Sequence, residues 1–286
     1  MQAITGVLLR RTTWRNLHMS NYEDEYIRLV EAIVNYGTDK EGRNGVTTSL
    51  FGAQLVVEEL KMGQFPLLNG RKIHYKPVLG ELAAFFRGPQ YVKDFEEQGC
   101  NYWSKWANQY GELELDYGNA WIGKYKDDNQ ITSVINSIKN EPNGRRHLIS
   151  GWVPQNIEHL SLPCCHYAYQ WYVDGEYLDM LWIQRSVDTM IGLPSDVVLA
   201  AAWNIIMADL TGYKPGRLIF QLGDVHIYQE HLTPMMQYLE QWEMIRDMQC
   251  SAYQYFSVNT YADFTAVNIE VPLYSPCKHI DFLLKE

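Results

Sequence analysis

The apolar segment 197–210, VVLAAAWNIIMADL, constrains the fold more than any other stretch of the chain. A helix that is apolar on most of its sides must be enclosed by other elements, because a surface helix keeps one polar face. Pro194 stands just before the segment and suits the start of a helix. Upstream, residues 167–173 and 177–187 flank Asp174-Gly175, a strong hairpin signal. The sequence therefore predicts a β-hairpin followed by a central buried helix.

Residues 21–36 are predicted to form an amphipathic helix near the start of the chain. Tyr26, Val30 and Ile33 share one face of this helix, and Gly37 is placed to cap its end. A second N-terminal helix is expected to have Pro77 at its first position and to end at Gly88.

The remaining elements complete the prediction of fold class. They are a strand at 49–57, a helix at 129–140, a strand at 218–222 and a helix at 228–244. Strands and helices in this mixed order predict an α+β fold, in which helices pack on one large mixed β-sheet.

Composition bounds the size and the partners of the protein. A chain of 286 residues at 47% hydrophobic content, without repeats or linkers, is expected to fold as one domain over 1–286, with 1–20 as an N-terminal extension. The net charge of −10 argues against a broad nucleic-acid surface, although clustered arginines can still bind a small anion. Five scattered cysteines without a CxxC pair predict no metal site and a reducing, cytoplasmic location. No apolar run reaches the 18 residues that would suggest a membrane span.

Eight short motifs follow one another along the chain. They are EGRNGVTTSLFG (41–52), LGELAAFF (79–86), NYWSKWA (101–107), LDYGNAW (115–121), NEPNGRRHLISGW (140–152), LPCCHYAYQWYV (162–173), RSVDTMIGLPSD (185–196) and QLGDVHIYQEH (221–231). Their content and order, from about residue 24 to the C-terminus, resemble the thymidylate synthase family. Members of that family use folate to alkylate C5 of deoxyuridylate.

The resemblance implies a specific assembly and co-substrate. The fold would be thymidylate synthase-like, and the protein a homodimer that forms by face-to-face stacking of the sheets and shares residues between active sites. The co-substrate would be 5,10-methylenetetrahydrofolate, with no metal. Residues 274–286 resemble the flexible tail that closes over the folate, although DFLLKE at 281–286 replaces the small apolar ending of the family.

The resemblance also implies which residues carry the chemistry. Cys165 would add to C6 of the pyrimidine, although a free cysteine is more often a buried, inert residue. Arg185 would favour its thiolate, and no chemistry is assigned to Cys164. Glu81 would act as a general acid and base through ordered water, and Tyr117 would help to remove the C5 proton.

Further positions match the binding residues of the family. The phosphate would be held by Arg43, Arg145, Arg146 and Arg185, of which Arg145 and Arg146 would serve the site of the partner subunit. The 3′-hydroxyl of the sugar would be bound by His226 and Tyr228. Other expected nucleotide contacts are Gln184, Ser186, Asp188 and Asp196. The folate would contact Trp103, Trp106, Asp188 and Gly192, although tryptophans at this spacing are usually core residues.

Asp196 departs from the family pattern RSxDxxLGxPxN, whose final asparagine reads the uracil edge. An amide offers one donor and one acceptor, whereas a carboxylate offers only acceptors. After thiolate addition, cytosine is expected to carry a proton on N3, so that N3 and N4 are both donors to a carboxylate. The substitution is the hallmark of the cytidylate branch, and predicts a deoxycytidylate (dCMP) 5-hydroxymethylase, active in the modification of phage DNA.

Several alternatives remain open on the sequence. The protein could instead methylate dCMP and release dihydrofolate, hydroxymethylate CMP, or act on deoxyuridylate as thymidylate synthases do. A catalytically silent nucleotide- or RNA-binding regulator is the alternative outside enzymes. The complete set of catalytic positions weighs against that alternative.

Overall fold

A computed structural model describes residues 21–125 and 128–285. The predicted N-terminal extension, 1–20, lies outside these residues. Ten strands are assigned within them: β1 (Thr38–Gly42), β2 (Gly45–Val57), β3 (Lys124–Tyr125), β4 (Asp128–Asn129), β5 (Leu148–Ser150), β6 (His166–Asp174), β7 (Tyr177–Asp188), β8 (Lys214–Tyr228), β9 (Gln254–Tyr255) and β10 (Ile269–Glu270).

Seven α-helices and five short 3-10 helices are assigned within the described residues. The α-helices are α1 (Tyr22–Tyr36), α2 (Tyr75–Phe85), α3 (Val92–Glu96), α4 (Asn119–Ile122), α5 (Gln130–Asn140), α6 (Gly192–Thr211) and α7 (Leu232–Glu243). Short 3-10 helices are formed by Glu59–Met62, Trp103–Trp106, Gln229–His231, Tyr261–Asp263 and Ala266–Asn268.

One six-stranded sheet forms the framework, in the order β1-β2-β8-β7-β6-β5. Strands β7 and β8 are parallel, and their other neighbours in the sheet are antiparallel. The sheet is therefore mixed, and the α+β prediction is confirmed. The single-domain assignment of 1–286 stays a prediction.

Helix α6 is the central buried helix that its sequence predicts. It is long and apolar enough to cross a membrane, but 78% of its most apolar stretch is buried inside the fold. It packs on β7 and β8 on one side and on α2 and α5 on another. Pro194 is its third residue, where the missing N–H breaks no intrahelical hydrogen bond.

The predicted hairpin joins β6 to β7. Asp174 pairs with Tyr177, so the loop consists of Gly175 and Glu176. Gly175 has a φ of 63°, a left-handed conformation that glycine adopts without strain. Asp174 is therefore the last residue of β6 and directly precedes the two-residue loop.

Helices α1 and α5 follow their sequence signals closely. Asn21 and Asn129 cap them by accepting the backbone N–H groups of Asp24 and Thr132, each at 2.9 Å. Gly37 follows α1 as predicted, but with a φ of −71°. A Cβ at this position would lie 2.4 Å from the Ile33 carbonyl oxygen. Gly37 is therefore needed for close packing and not for a left-handed turn.

The boundaries of two other predicted helices are wrong. Pro77 is the third residue of α2 and not the first, and α2 ends before Gly88. The helix predicted from residue 228 begins at Leu232, because Tyr228 still pairs with Thr47 in the sheet. The predicted strands at 49–57 and 218–222 are parts of the longer β2 and β8, since hydrogen bonding to neighbours extends strands past their apolar cores.

The sheet has one covered face and one open face. Met180 and Trp182 of β7 are fully buried against the helical layer. Leu181 and Ile183 alternate with them, point to the opposite face and stay partly exposed. The parallel strands β7 and β8 end at the same edge of the sheet, where Asp188 of β7 pairs with His226 of β8. These two strand ends position the candidate site.

Candidate active site

A pocket of about 360 Å³ opens where the ends of β7 and β8 meet α2 and the start of α6. All the predicted site residues except Arg145 and Arg146 line this pocket. They are Arg43, Glu81, Trp103, Trp106, Tyr117, Cys165, Gln184, Arg185, Ser186, Asp188, Gly192, Asp196, His226 and Tyr228. The fold thus gathers side chains that are more than 180 residues apart in the sequence, from Arg43 to Tyr228.

Cys165 lies just before β6 and is half-buried in the pocket wall. Its backbone N–H donates to the Tyr117 hydroxyl, which places that phenol beside the thiol. Arg185 Nη2 lies 3.8 Å from Cys165 Sγ. Burial raises the pKa of Cys165, whereas the positive charge of Arg185 lowers it. The arrangement gives this thiol a guanidinium partner for its charged form.

Arg185 is held in place by backbone carbonyls of the segment that carries the thiol. Its guanidinium donates to Cys164 O at 2.8 Å and to Pro163 O at 3.0 Å. The backbone of Arg185 also lies close to Gly223 of β8: a Cβ at Gly223 would stand 2.4 Å from the Arg185 carbonyl oxygen. The glycine of the GDxHxY motif therefore permits the close contact between the two strands. Cys164 is buried, and its pKa is raised to about 12 mainly by burial.

Glu81 is a buried carboxylic acid on α2, with a side chain held by two aromatic donors. Trp103 Nε1 donates to Oε1 at 2.7 Å, and the Tyr102 hydroxyl donates to Oε2 at 2.8 Å. Burial raises the pKa of Glu81 to about 7, and these two hydrogen bonds oppose the rise. A carboxyl group with this pKa can both give and take a proton near neutral pH. Tyr102 lies within the motif NYWSKWA but is not among the predicted site residues, because nothing in the sequence links it to Glu81.

Asp196 lies in the first turns of α6, and Gln184 Nε2 donates to its Oδ2 at 2.6 Å. Burial raises the pKa of Asp196 to about 8; the Gln184 hydrogen bond opposes this rise and the neighbouring Glu81 adds to it. His166 Nε2 lies 3.9 Å from Asp196 Oδ1. Burial lowers the pKa of His166 to about 3, so its imidazole is neutral and does not favour the aspartate anion. A pKa of about 8 favours the neutral acid form of Asp196 at neutral pH.

The opposite end of the pocket presents imidazole, phenol and guanidinium groups. His226 Nδ1 is 3.0 Å from Asp224 Oδ1, which leaves the other ring nitrogen available to a ligand. Tyr228 packs edge-on against His226, with 5.2 Å between the ring centroids. Arg43 lies in the turn between β1 and β2, is exposed and donates to Asn44 Oδ1 at 3.1 Å. Together with Arg185, this end suits an anionic group attached to a sugar.

Arg145 and Arg146 lie outside the pocket of their own chain. They are exposed in the segment that follows α5, before the short strand β5. Their expected contact with the phosphate in a partner subunit is not tested by a single chain and stays a prediction.

The tryptophans predicted to wall the folate stand beside Glu81. Their ring centroids are 5.2 Å apart; Trp103 is buried, and Trp106 is half-exposed at the mouth of a second cavity. This cavity, of about 600 Å³, shares Glu81, Trp106 and Asp196 with the first pocket. A half-exposed indole beside a mainly apolar cavity suits stacking with a flat ring such as a pterin.

The C-terminal segment closes one side of the two cavities. Phe282 stacks on the Arg71 guanidinium at 4.7 Å, and His231 Nε2 lies 2.8 Å from Leu283 O. His231 Nδ1 in turn lies 3.5 Å from Asp188 Oδ1. Leu284 and Lys285 line the first pocket. Residues 282–285 of the altered ending are therefore seated against the pocket, residue 286 lies outside the described residues, and the mobility of the tail stays a prediction.

Metal ligands were not expected at this site. Within residues 21–125 and 128–285, no group of three or more His, Cys, Asp or Glu side chains could hold a metal ion. The expectation of metal-free chemistry stays a prediction.

A comparison with protein families accounts for nearly the whole chain. The sequence model of thymidylate synthase matches residues 24–285. These residues include the pocket and the exposed Arg145 and Arg146. The match is thus to the complete catalytic unit and not to one motif.

Proposed function

Because the chain belongs to the thymidylate synthase family, which transfers a one-carbon unit from methylenetetrahydrofolate to C5 of a nucleotide, we propose that its nucleotide is dCMP and its product 5-hydroxymethyl-dCMP. The proposed reaction combines dCMP, 5,10-methylenetetrahydrofolate and water, and releases tetrahydrofolate. Family members are homodimers that bind nucleotide and folate. The observation that supports the choice of nucleotide is the partly buried Asp196, to which Gln184 donates a hydrogen bond.

The hydrogen-bonding capacity of Asp196 matches cytosine in both of its protonation states. As a neutral acid it offers one O–H donor to N3 of cytosine and one acceptor to the N4 amino group. Gln184 already donates to Oδ2, so the acidic proton is better placed on Oδ1. When the ring is attacked at C6, the proton can pass to N3, and the resulting carboxylate accepts from N3 and N4. The raised pKa of Asp196, about 8, supports this transfer.

Uracil does not match this sequence of events. Uracil pairs with the neutral acid, which can donate to O4 and accept from N3–H, but its N3 already carries a proton and takes none from Asp196, so the carboxylate form that cytosine leaves is not matched. An ionised Asp196 would face O4 with a second acceptor in a buried site, at a cost of roughly 1–3 kcal/mol. This cost corresponds to about one to two orders of magnitude in affinity.

The other pocket residues complete the proposed chemistry. Cys165 adds to C6 of the pyrimidine, which makes C5 nucleophilic, and Arg185 supports the thiolate that attacks. The folate supplies the one-carbon unit, and Trp106, Asp188 and Gly192 would hold it. Glu81 would move protons through water beside the reacting carbon; its pKa of about 7, which allows both forms, supports this role.

Methylation of dCMP is the second candidate function. Both tryptophans are present, and Trp103 is fixed by its hydrogen bond to Glu81. Tryptophans at these positions are a feature of the methylating synthases, in which the folate also supplies a hydride. Hydroxymethylation instead requires water at the exocyclic carbon. Glu81 and Asp196, both polar and next to each other, favour that water.

The product decides between these functions. The protein is incubated with methylenetetrahydrofolate and, separately, with dCMP, CMP or dUMP, and the nucleotide product is identified by mass spectrometry. We expect 5-hydroxymethyl-dCMP, with no near-ultraviolet signal from dihydrofolate during turnover. A methylated product with an equal amount of dihydrofolate would replace the proposal by the methylase. A preference for dUMP would instead indicate a thymidylate synthase. A preference for CMP would indicate that the substrate is the ribonucleotide.

A further inference from the structure

Tyr102 contacts the key carboxyl group of the pocket and has no role in the chemistry described so far. Its hydroxyl donates to Glu81 Oε2 at 2.8 Å, while Trp103 donates to Oε1 at 2.7 Å. Each oxygen of Glu81 therefore has its own aromatic donor. Tyr102 also lines both cavities, at the place where they share Glu81.

We propose that Tyr102 is a positioning residue that holds Glu81 in one orientation and keeps an ionised Glu81 available near neutral pH for proton transfer. Two donors, one on each oxygen, prevent the carboxylate from rotating in its cavity. Both donors also stabilise the charged form of Glu81, which burial alone would disfavour. The inference deepens the proposed function, on which its catalytic meaning rests.

The other groups that face Glu81 leave this role to the aromatic donors. Cys100, on the same loop as Tyr102, is fully buried, and its pKa is raised by burial and by Glu81, so it stays a neutral thiol. Asp196, from α6, is negative when ionised and opposes a second charge on Glu81. The pKa of Tyr102 itself is raised well above its usual range, mainly by burial, so the phenol keeps the proton that it donates. Hydrogen bonds from Tyr102 and Trp103 are thus the main support of the Glu81 anion.

The close packing of the loop on α2 explains why Tyr102 reaches Glu81. A Cβ at Gly80 would lie 2.2 Å from the Gln98 carbonyl oxygen and 3.3 Å from the Cys100 nitrogen. The missing side chain lets residues 98–103 lie directly on the helix, one residue before Glu81. Tyr102 and Trp103 are brought to the carboxylate by this contact.

The test is a direct titration of Glu81 in the purified, folded full-length protein. Carboxyl-labelled glutamate is followed by NMR, and the Glu81 signal is assigned by its loss in a Glu81→Gln variant. In Tyr102→Phe we expect the midpoint of Glu81 to lie about one pH unit above that of the wild type. Tyr110→Phe is the matched control, since Tyr110 is 74% exposed and should leave the midpoint unchanged.

A second variant moves the same midpoint in the opposite direction. Replacement of Tyr102 by 3-fluorotyrosine gives a more acidic phenol, which is a stronger donor, so the Glu81 midpoint should fall. In parallel, the limb of the pH profile of kcat/KM that belongs to Glu81, measured by release of tritium from C5 of dCMP, should move with each midpoint. An unchanged Glu81 midpoint in both variants would overturn the inference. A wild type that releases no tritium from any pyrimidine nucleotide would instead overturn the proposed function, while the titration still decides the role of Tyr102.

Discussion

The reactivity of the Cys165 thiol depends on its pKa, on which burial and a nearby arginine have opposite effects. Burial raises the pKa of Cys165, and Arg185, 3.8 Å away, lowers it. The neighbouring Cys164 is also buried, but does not line the pocket. Adjacent cysteines just before β6 therefore have different environments, since Cys165 lines the pocket and Cys164 does not.

Exchange of the two cysteines for alanine should separate their roles. We expect Cys165→Ala to abolish tritium release from C5 of dCMP, because the covalent addition to C6 is lost. Cys164→Ala should retain most of the release and cost at most about 1–2 kcal/mol of stability, since it removes one small buried group. Tritium release and urea denaturation measure the two effects. Full activity in Cys165→Ala would contradict the assignment of the nucleophile.

Asp196 is the residue at which we expect a single-atom change in the side chain, oxygen to nitrogen, to alter the choice between cytosine and uracil. Asp196→Asn replaces an acidic oxygen by an NH2 donor at almost constant volume, and an amide has no acidic proton to transfer to N3. We expect the ratio of kcat/KM for dCMP over that for dUMP to fall by roughly one to three orders of magnitude. The measurement is kcat/KM for both nucleotides on both proteins. The cytosine hypothesis fails if the wild type already prefers dUMP, or if the ratio does not move.

At the scale of elements, the site depends on how closely α2 and the loop 98–103 pack. Gly80 lies inside α2, where glycine usually costs about 1 kcal/mol relative to alanine. Here its backbone touches Gln98, and an added Cβ would be 2.2 Å from the carbonyl oxygen. The helix thus accepts a weak helix former so that the loop can place its aromatic donors on Glu81.

Gly80→Ala should therefore destabilise the protein despite its better helix propensity. The loop must move by more than an ångström to admit the methyl group, a displacement that we expect to cost about 1–3 kcal/mol. The thermal midpoint should fall by several degrees, and C5 tritium release should fall at least tenfold as Tyr102 and Trp103 leave Glu81. Differential scanning calorimetry and the tritium assay check the two outcomes. A higher thermal midpoint with full activity would show that the loop gives way freely.

At the scale of the whole molecule, one sheet face and two arginines lack a function within a single chain. The face opposite α6 presents the partly exposed Leu181 and Ile183 and the largely exposed Tyr172, which is 62% exposed. Arg145 and Arg146 are exposed and do not line the pocket that their motif would serve. Both features agree with the homodimers typical of the family, in which the open faces would stack and each chain would lend its arginines to the other.

Mixed dimers test this shared site. Arg146→Glu and Cys165→Ala should each reduce activity to background when alone. When the two variants are dissociated and re-associated together, each mixed dimer should contain one intact site, and activity should recover to about one quarter of the wild-type level if subunits mix at random. A subunit exchange between Arg28→Glu and Cys165→Ala is the control, because Arg28 is exposed on α1, where it forms an ion pair with Glu25 at 2.6 Å, and does not line the pocket. Absence of recovery despite proven mixed dimers would mean that Arg146 acts within its own chain.

The sequence by itself determined the fold class, the central helix and the set of residues that meet in the pocket. Segment 197–210 has no polar face, so its burial follows from composition alone. The type and order of the side chains in the motifs identify a family. The same motifs predict that Cys165, Glu81 and Asp196 are site residues. Element ends were predicted less well, as Pro77 and Tyr228 show, because strand pairing and first-turn geometry outweigh local signals.

Only the tertiary structure decided the state of those residues. The pKa of about 8 at Asp196 and of about 7 at Glu81 arises mainly from burial, which depends on every element around the pocket. The donor that Tyr102 supplies to Glu81 and the neutral His166 beside Asp196 come from contacts between distant segments, to which local sequence patterns are blind. A sequence specifies which groups are present, whereas their charge is set by the water that the fold removes and the donors that it brings near.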